Sequence, residues 1–172
     1  MAHISFEQIS TFVFDVDGVL TDGTILVLEN GLQARRMSIR DGYALQLAVR
    51  KDYHVLVISG AAASPVVDRL SKLGITEIHM GVSNKWELLR QYLHTHSISP
   101  AEVLFMGDDM PDYEVMTRVG LPACPADAIE DIAAISLYRS GLPGGAGCVR
   151  DVIEKVMRSR GHWMHESAVN SR

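Results

Sequence analysis

Residues 11–23 read TFVFDVDGVLTDG, and the reading of this stretch decides the fold. Thr11, Phe12, Val13 and Phe14 form an unbroken apolar and β-branched run, the pattern of a strand buried on both faces of a parallel sheet. The run stops abruptly on Asp15-Val16-Asp17-Gly18. Open α/β sheets bind ligands at the carboxyl ends of their strands, and two carboxylates that close need a cation between them or a proton on one. A lone D-x-D after a strand is most often a polar turn, so the weight of this one depends on the rest of the chain.

Working outward, strand and helix patterns alternate to the end. Residues 24–28 and 33–39 are extended runs around Glu29-Asn30-Gly31, an Asn-Gly hairpin signal that predicts a flap beside the first motif. Helices are predicted over residues 43–51, 64–73, 84–96, 111–119, 128–134 and 149–158, and strands over 53–59, 76–80, 103–107, 121–124 and 136–138. This order predicts an α/β fold, a doubly wound, Rossmann-like parallel sheet with helices on both faces. Neither the interval over residues 24–54 nor that over residues 60–84 has room for an inserted second domain. The glycine-rich stretch 141–147 before the last helix reads either as a phosphate cradle or as a connector. Residues 1–158 are expected to form one domain, and the polar residues 159–172 a disordered tail.

Composition narrows the partners. The 172 residues are 47% apolar and 22% charged, with a net charge of -5 and no basic cluster, which argues against nucleic acid and against acidic membranes. The start, MAHISFEQIS, has no basic-then-apolar leader, and no apolar run approaches a membrane span. Two cysteines, Cys124 and Cys148, make no CxxC pattern and suit a reducing compartment, so a cytoplasmic protein is expected.

Three later elements also end on chemistry. Residues 55–58 (VLVI) lead to Ser59-Gly60, residues 81–84 (GVSN) to Lys85, and residues 103–106 (VLFM) to Gly107-Asp108-Asp109 with Asp112. Lys85 stands at a helix start, where the dipole disfavours a cation, so a merely solvated role sits poorly there. In this order the four motifs resemble the haloacid dehalogenase superfamily of phosphohydrolases. Within it the likeness is to the small capless 3-deoxy-D-manno-octulosonate 8-phosphate phosphatases, carried by residues 15–23, Arg40-Asp41-Gly42, residues 107–112 and GGAGCVR at 144–150, and spanning about residues 9–158.

The resemblance implies a Mg2+-dependent phosphomonoester hydrolase acting on a sugar-acid phosphate. Asp15 would be the nucleophile, and Asp17 the acid that later serves as base. Ser59, Gly60 and Lys85 would hold the transferring oxygens. Asp15, the backbone carbonyl of Asp17 and Asp108 would hold the metal, with Asp109 and Asp112 orienting its waters and Lys85. A homotetramer whose subunits cover one another's sites is implied as well. One position departs: members typically carry an arginine after the glycine of the second motif, where this chain has Ala61. Arg40 or Arg150 is then expected to meet the substrate's anion, or the substrate is a nine-carbon 2-keto-3-deoxy acid phosphate. A phospho-acceptor receiver domain uses similar residues, but its acidic pair comes early and its phosphorylated Asp later, the reverse of the order here.

Overall fold

The computed structural model describes residues 5–62 and 65–164. In chain order these form β1 (Thr11–Phe14), a hairpin of β2 (Leu26–Val27) and β3 (Gln33–Ala34), α1 (Ile39–Arg50), β4 (His54–Ile58), α2 (Val66–Lys72), β5 (Glu77–His79) and α3 (Lys85–His96). There follow β6 (Val103–Met106), α4 (Tyr113–Met116), β7 (Leu121–Cys124), α5 (Glu130–Ile135), β8 (Tyr138–Arg139) and α6 (Cys148–Ser159). Six parallel strands make one sheet in the order β5-β4-β1-β6-β7-β8. The chain winds outward from β1 through β4 to β5, then crosses back to β6 on the other side. The switch in direction therefore falls at β1, and a crevice opens at its carboxyl end.

Side-chain alternation divides the core. Phe12 and Phe14 of β1, with Leu104 and Met106 of β6, pack under α1, α2 and α6. Val13, Val103 and Phe105 face the opposite way, under α3, α4 and α5. Every residue of β1 is buried, as expected of a central strand in a covered parallel sheet.

Several elements differ from their sequence reading. The hairpin pairs Leu26 with Ala34 and Val27 with Gln33, with one further bridge between Thr21 and Met37, and the extended run ends before residue 39 because the Ser38 hydroxyl accepts the Asp41 N–H at 3.4 Å and starts α1 at Ile39. Arg40, Asp41 and Gly42 are thus helical. The helix expected over 111–119 is a tight turn at Met110–Asp112 followed by four residues of α4, ended where the Thr117 hydroxyl takes the Glu114 carbonyl at 2.8 Å. The start expected for α2 at residue 64 lies outside the described residues. The polar tail is a correction for its described part. Tyr53 and His162 share a hydrogen bond at 2.9 Å, and Trp163 packs edge-on against Tyr43, so residues 160–164 fold back onto the body. Residues 165–172 lie outside the described residues.

Candidate active site

The carboxyl ends of β1, β4 and β6 frame a cleft of about 360 Å3, lined by Asp15, Asp17, Ser59, Lys85, Asp108 and Asp109 among others. Asp15 continues β1, its N–H donating to the Met106 carbonyl at 3.1 Å. The chain then makes one wide turn over Val16–Leu20, closed by the Thr21 N–H on the Val16 carbonyl at 3.0 Å. Gly18 takes φ +84° inside it, and a Cβ there would fall inside the Asp108 carboxylate. Only glycine lets the first and fourth motifs meet.

Lys85 stands at the centre of the cleft. It is buried, its ammonium 2.6 Å from Asp112 Oδ1 and 2.9 Å from Asp15 Oδ1. Burial alone would lower its pKa, but the Asp112 and Asp15 charges outweigh that and raise it, so the lysine stays charged. Asp112 spends its other oxygen on the Asp108 N–H at 3.2 Å. It thereby orients both Lys85 and the Asp108 backbone.

Asp15, Asp108 and Asp112 bring one oxygen each to within 4.8 Å of one another. Three carboxylates around one ammonium leave an excess of negative charge. Burial, followed by the Asp112 charge, raises Asp15 to about 6 against the pull of Lys85. Burial, then the charges of Asp15, Asp112 and Asp109, raises Asp108 to about 7. Asp108 Oδ1 is buried with no hydrogen-bond partner, and Asp15 Oδ1 meets Lys85 outside hydrogen-bonding geometry. Orphaned hard oxygens in an electron-rich cluster are the donor set of a small divalent cation, and Mg2+ fits them.

Asp17 stands apart from that cluster. Its carboxylate is forked by Arg35, with Nε at 2.6 Å from Oδ1 and an Nη at 3.3 Å from Oδ2, and lies 3.5 Å from the buried Thr21 hydroxyl. Of the two acids in the first motif, Asp15 joins the acidic cluster and Asp17 is held at the hairpin base. Ser59 directly follows β4, and its hydroxyl oxygen accepts the Ala61 N–H at 3.1 Å, leaving its proton for a ligand. The Asp109 side chain accepts the Met110 N–H at 2.7 Å, capping the turn at the cleft's edge.

Not every expected site residue is gathered here. Arg40 and Arg150 line a separate pocket of about 340 Å3, and the Arg150 guanidinium lies over the Tyr43 and Trp163 rings. Neither lines this chain's own cleft. The glycine-rich loop is not a phosphate cradle: the Gly145 N–H donates to the Val19 carbonyl at 3.0 Å, Cys148 Sγ meets the same carbonyl at 3.3 Å, and the Gly144 N–H donates to Asp127. The loop braces the back of the first motif. Arg35 and Thr21 escaped the sequence reading. The hairpin holds adjacent arginines, and only the tertiary structure separates them: the Arg35 side chain is 8% exposed and that of Arg36 90%.

The chain is similar to known phosphatases. A haloacid dehalogenase-like hydrolase family model matches residues 69–141. The chain is 37% identical over 155 residues to the 3-deoxy-D-manno-octulosonate 8-phosphate phosphatase KdsC of Escherichia coli K12, covering 90% of this chain and 82% of that one. The crystal structure of the corresponding phosphatase from Yersinia pestis superimposes with a TM-score of 0.88 at 32% identity, over 91% of this chain and 85% of that one. The Moraxella catarrhalis phosphatase, solved with magnesium, phosphate and a KDO molecule, has a TM-score of 0.86 at 28% identity, over 90% of this chain and 88% of that one.

Proposed function

The chain belongs to the haloacid dehalogenase-like hydrolases, among the 3-deoxy-D-manno-octulosonate 8-phosphate phosphatases, and on that premise we propose that it hydrolyses 3-deoxy-D-manno-octulosonate 8-phosphate with Mg2+ through an aspartyl-phosphate on Asp15. The observation that carries the reading is the group of buried Asp15, Lys85 and Asp112 with the partly buried Asp108, and an acid of separate surroundings, Asp17, beside it.

Asp15 attacks phosphorus, and the bond from phosphorus to the sugar oxygen breaks as the new Asp15 acyl-phosphate bond forms. Asp17 gives the departing oxygen its proton, then takes one from the water that displaces Asp15 and releases phosphate. Lys85 and the Ser59 hydroxyl, with the backbone at Gly60, stabilise the transferring oxygens. Lys85 also keeps Asp15 ionised for attack. Asp15, the Asp17 carbonyl and Asp108 would hold Mg2+, which when bound neutralises phosphate charge that would otherwise repel a carboxylate. Asp109 and Asp112 act one layer out, Asp112 through Lys85.

Residues 1–158 serve as a single catalytic domain in this reading. The enzyme works in the cytoplasm as a homotetramer. Leu26, Val27 and Leu32 on the hairpin are 63%, 68% and 62% exposed, more apolar surface than a solvated flap carries, and packing there would cover a cleft that has no cap. The test is phosphate release across a panel of sugar phosphates, with EDTA and Mg2+ add-back. Turnover of the octulosonate phosphate well above that of neutral sugar phosphates, lost in EDTA, is expected. Equal turnover across the panel would overturn the substrate assignment.

A further inference from the structure

A third cavity, about 360 Å3, lies between the hairpin and α2, lined by Gln33, Arg35, Met37, Val66 and Arg69. Arg35 joins it to the catalytic cleft: it lines this cavity while its guanidinium grips Asp17, which lines the cleft. We propose that this cavity is the leaving-group subsite, and that Arg35 determines specificity by exchanging Asp17 for the carboxylate of the departing sugar acid. The inference rests on the sugar-acid phosphatase reading above.

Direction is the first argument. Asp17 must reach the ester oxygen, so the sugar lies on the Asp17 side of the phosphate, and that is the side of Arg35 and its cavity. Charge is the second. A sugar-acid phosphate brings a carboxylate as well as a phosphate, while Lys85 in the cleft is already engaged by Asp15 and Asp112. A guanidinium fork matches a carboxylate in shape and charge, and Arg35 already holds one in that geometry. The third is lining and size. Met37 and Val66 offer an apolar wall to the carbon skeleton and Gln33 an amide to the hydroxyls, in a volume within the ordinary range for small-molecule sites, about 300–1,000 Å3.

The exchange has a catalytic consequence. With Arg35 across both Asp17 oxygens, the atoms that must carry a proton to the leaving oxygen are occupied. A substrate carboxylate that draws Arg35 away frees them, so the leaving group that fits the cavity also releases its own acid. An ester without a carboxylate leaves the fork closed.

The experiment measures kcat/KM with Mg2+ for the octulosonate phosphate and for p-nitrophenyl phosphate, whose leaving group needs no proton. It compares wild type, Arg35→Gln and Ala34→Trp. Ala34 also lines the cavity from an exposed strand position, so an indole there fills the space without entering the core. In both variants the ratio of the two constants should fall by about 20-fold or more, the scale of one lost charge-assisted pair, with KM for the sugar phosphate raised. Inhibition by the free sugar acid should weaken in parallel. A ratio within threefold of wild type in either folded variant overturns the subsite alone. A wild type that cleaves p-nitrophenyl phosphate but is inert on the sugar-acid phosphate overturns the substrate reading and the subsite with it.

Discussion

At the scale of single residues, one wide turn gives two aspartates two different chemistries. Asp15 enters a buried acidic cluster with Lys85, and Asp17, two residues on, is taken by Arg35. Asp15→Asn keeps the volume and removes the proposed nucleophile, so turnover should drop by about 10³-fold or more while the fold persists; steady-state kinetics and circular dichroism check both. Asp108 allows a test of its environment without substrate. Its pKa rises from 3.8 to about 7, so between those values the metal-free folded chain holds a proton that the unfolded chain has lost. The stability this represents is complete below about pH 4 and is lost as pH rises through about 7. In EDTA at pH 8, Asp108→Asn should therefore melt higher than wild type, by about 2 kcal/mol once the group's partial exposure is discounted. At pH 4 the gain should vanish, and with Mg2+ the order should reverse. Equal melting temperatures at pH 8 in EDTA would refute the strained cluster. Asp15, Ser59 and Asp108 were legible in the sequence because they stand at or just past the ends of apolar runs, and Asp17 and Lys85 by their order and spacing beside them. Arg35 was not, because nothing local separates a buried arginine from an exposed one beside it.

At the scale of elements, the Arg40-Asp41-Gly42 and GGAGCVR stretches meet as one structural joint. Asp41 on α1 is buried and accepts the Arg150 N–H at 2.7 Å, so a carboxylate from one helix caps the start of another. Burial raises its pKa to about 6 against the donors of Arg150 and Gly147. Asp41→Ala should cost about 1–2 kcal/mol in chemical denaturation, through the lost cap. Asp41→Asn, which keeps an acceptor without the buried charge, should recover most of that above pH 7. An Asp41→Asn loss equal to the alanine loss would show that the charge, and not the acceptor, is what α6 needs. The sequence marked both stretches as shared with a phosphatase branch and offered Arg40 or Arg150 as a partner for the substrate's anion. The contact between the helices explains the stretches differently, as the brace that seats α6 and its glycine loop against the first motif.

For the whole molecule, the open question is what closes a capless cleft. The exposed Leu26, Val27 and Leu32 of the hairpin are the surface available for it. Light scattering at micromolar concentration should give a tetramer, and Leu26→Glu with Val27→Glu should give smaller species that turn over the sugar-acid phosphate at least tenfold more slowly. A wild-type monomer of full activity would remove the need for neighbours. The sequence by itself determined the parallel α/β sheet, its central strand and the order of the catalytic motifs, because hydrophobic periodicity and the polar residue ending each strand are local patterns. Only the tertiary structure decided which acids face one another, that Arg35 forks Asp17, that Arg40 and Arg150 lie outside the cleft, and that the glycine loop is a brace. These depend on how a hairpin, a helix start and a distant loop pack around the end of β1, and contacts between residues far apart in the chain leave no mark on the spacing of either partner.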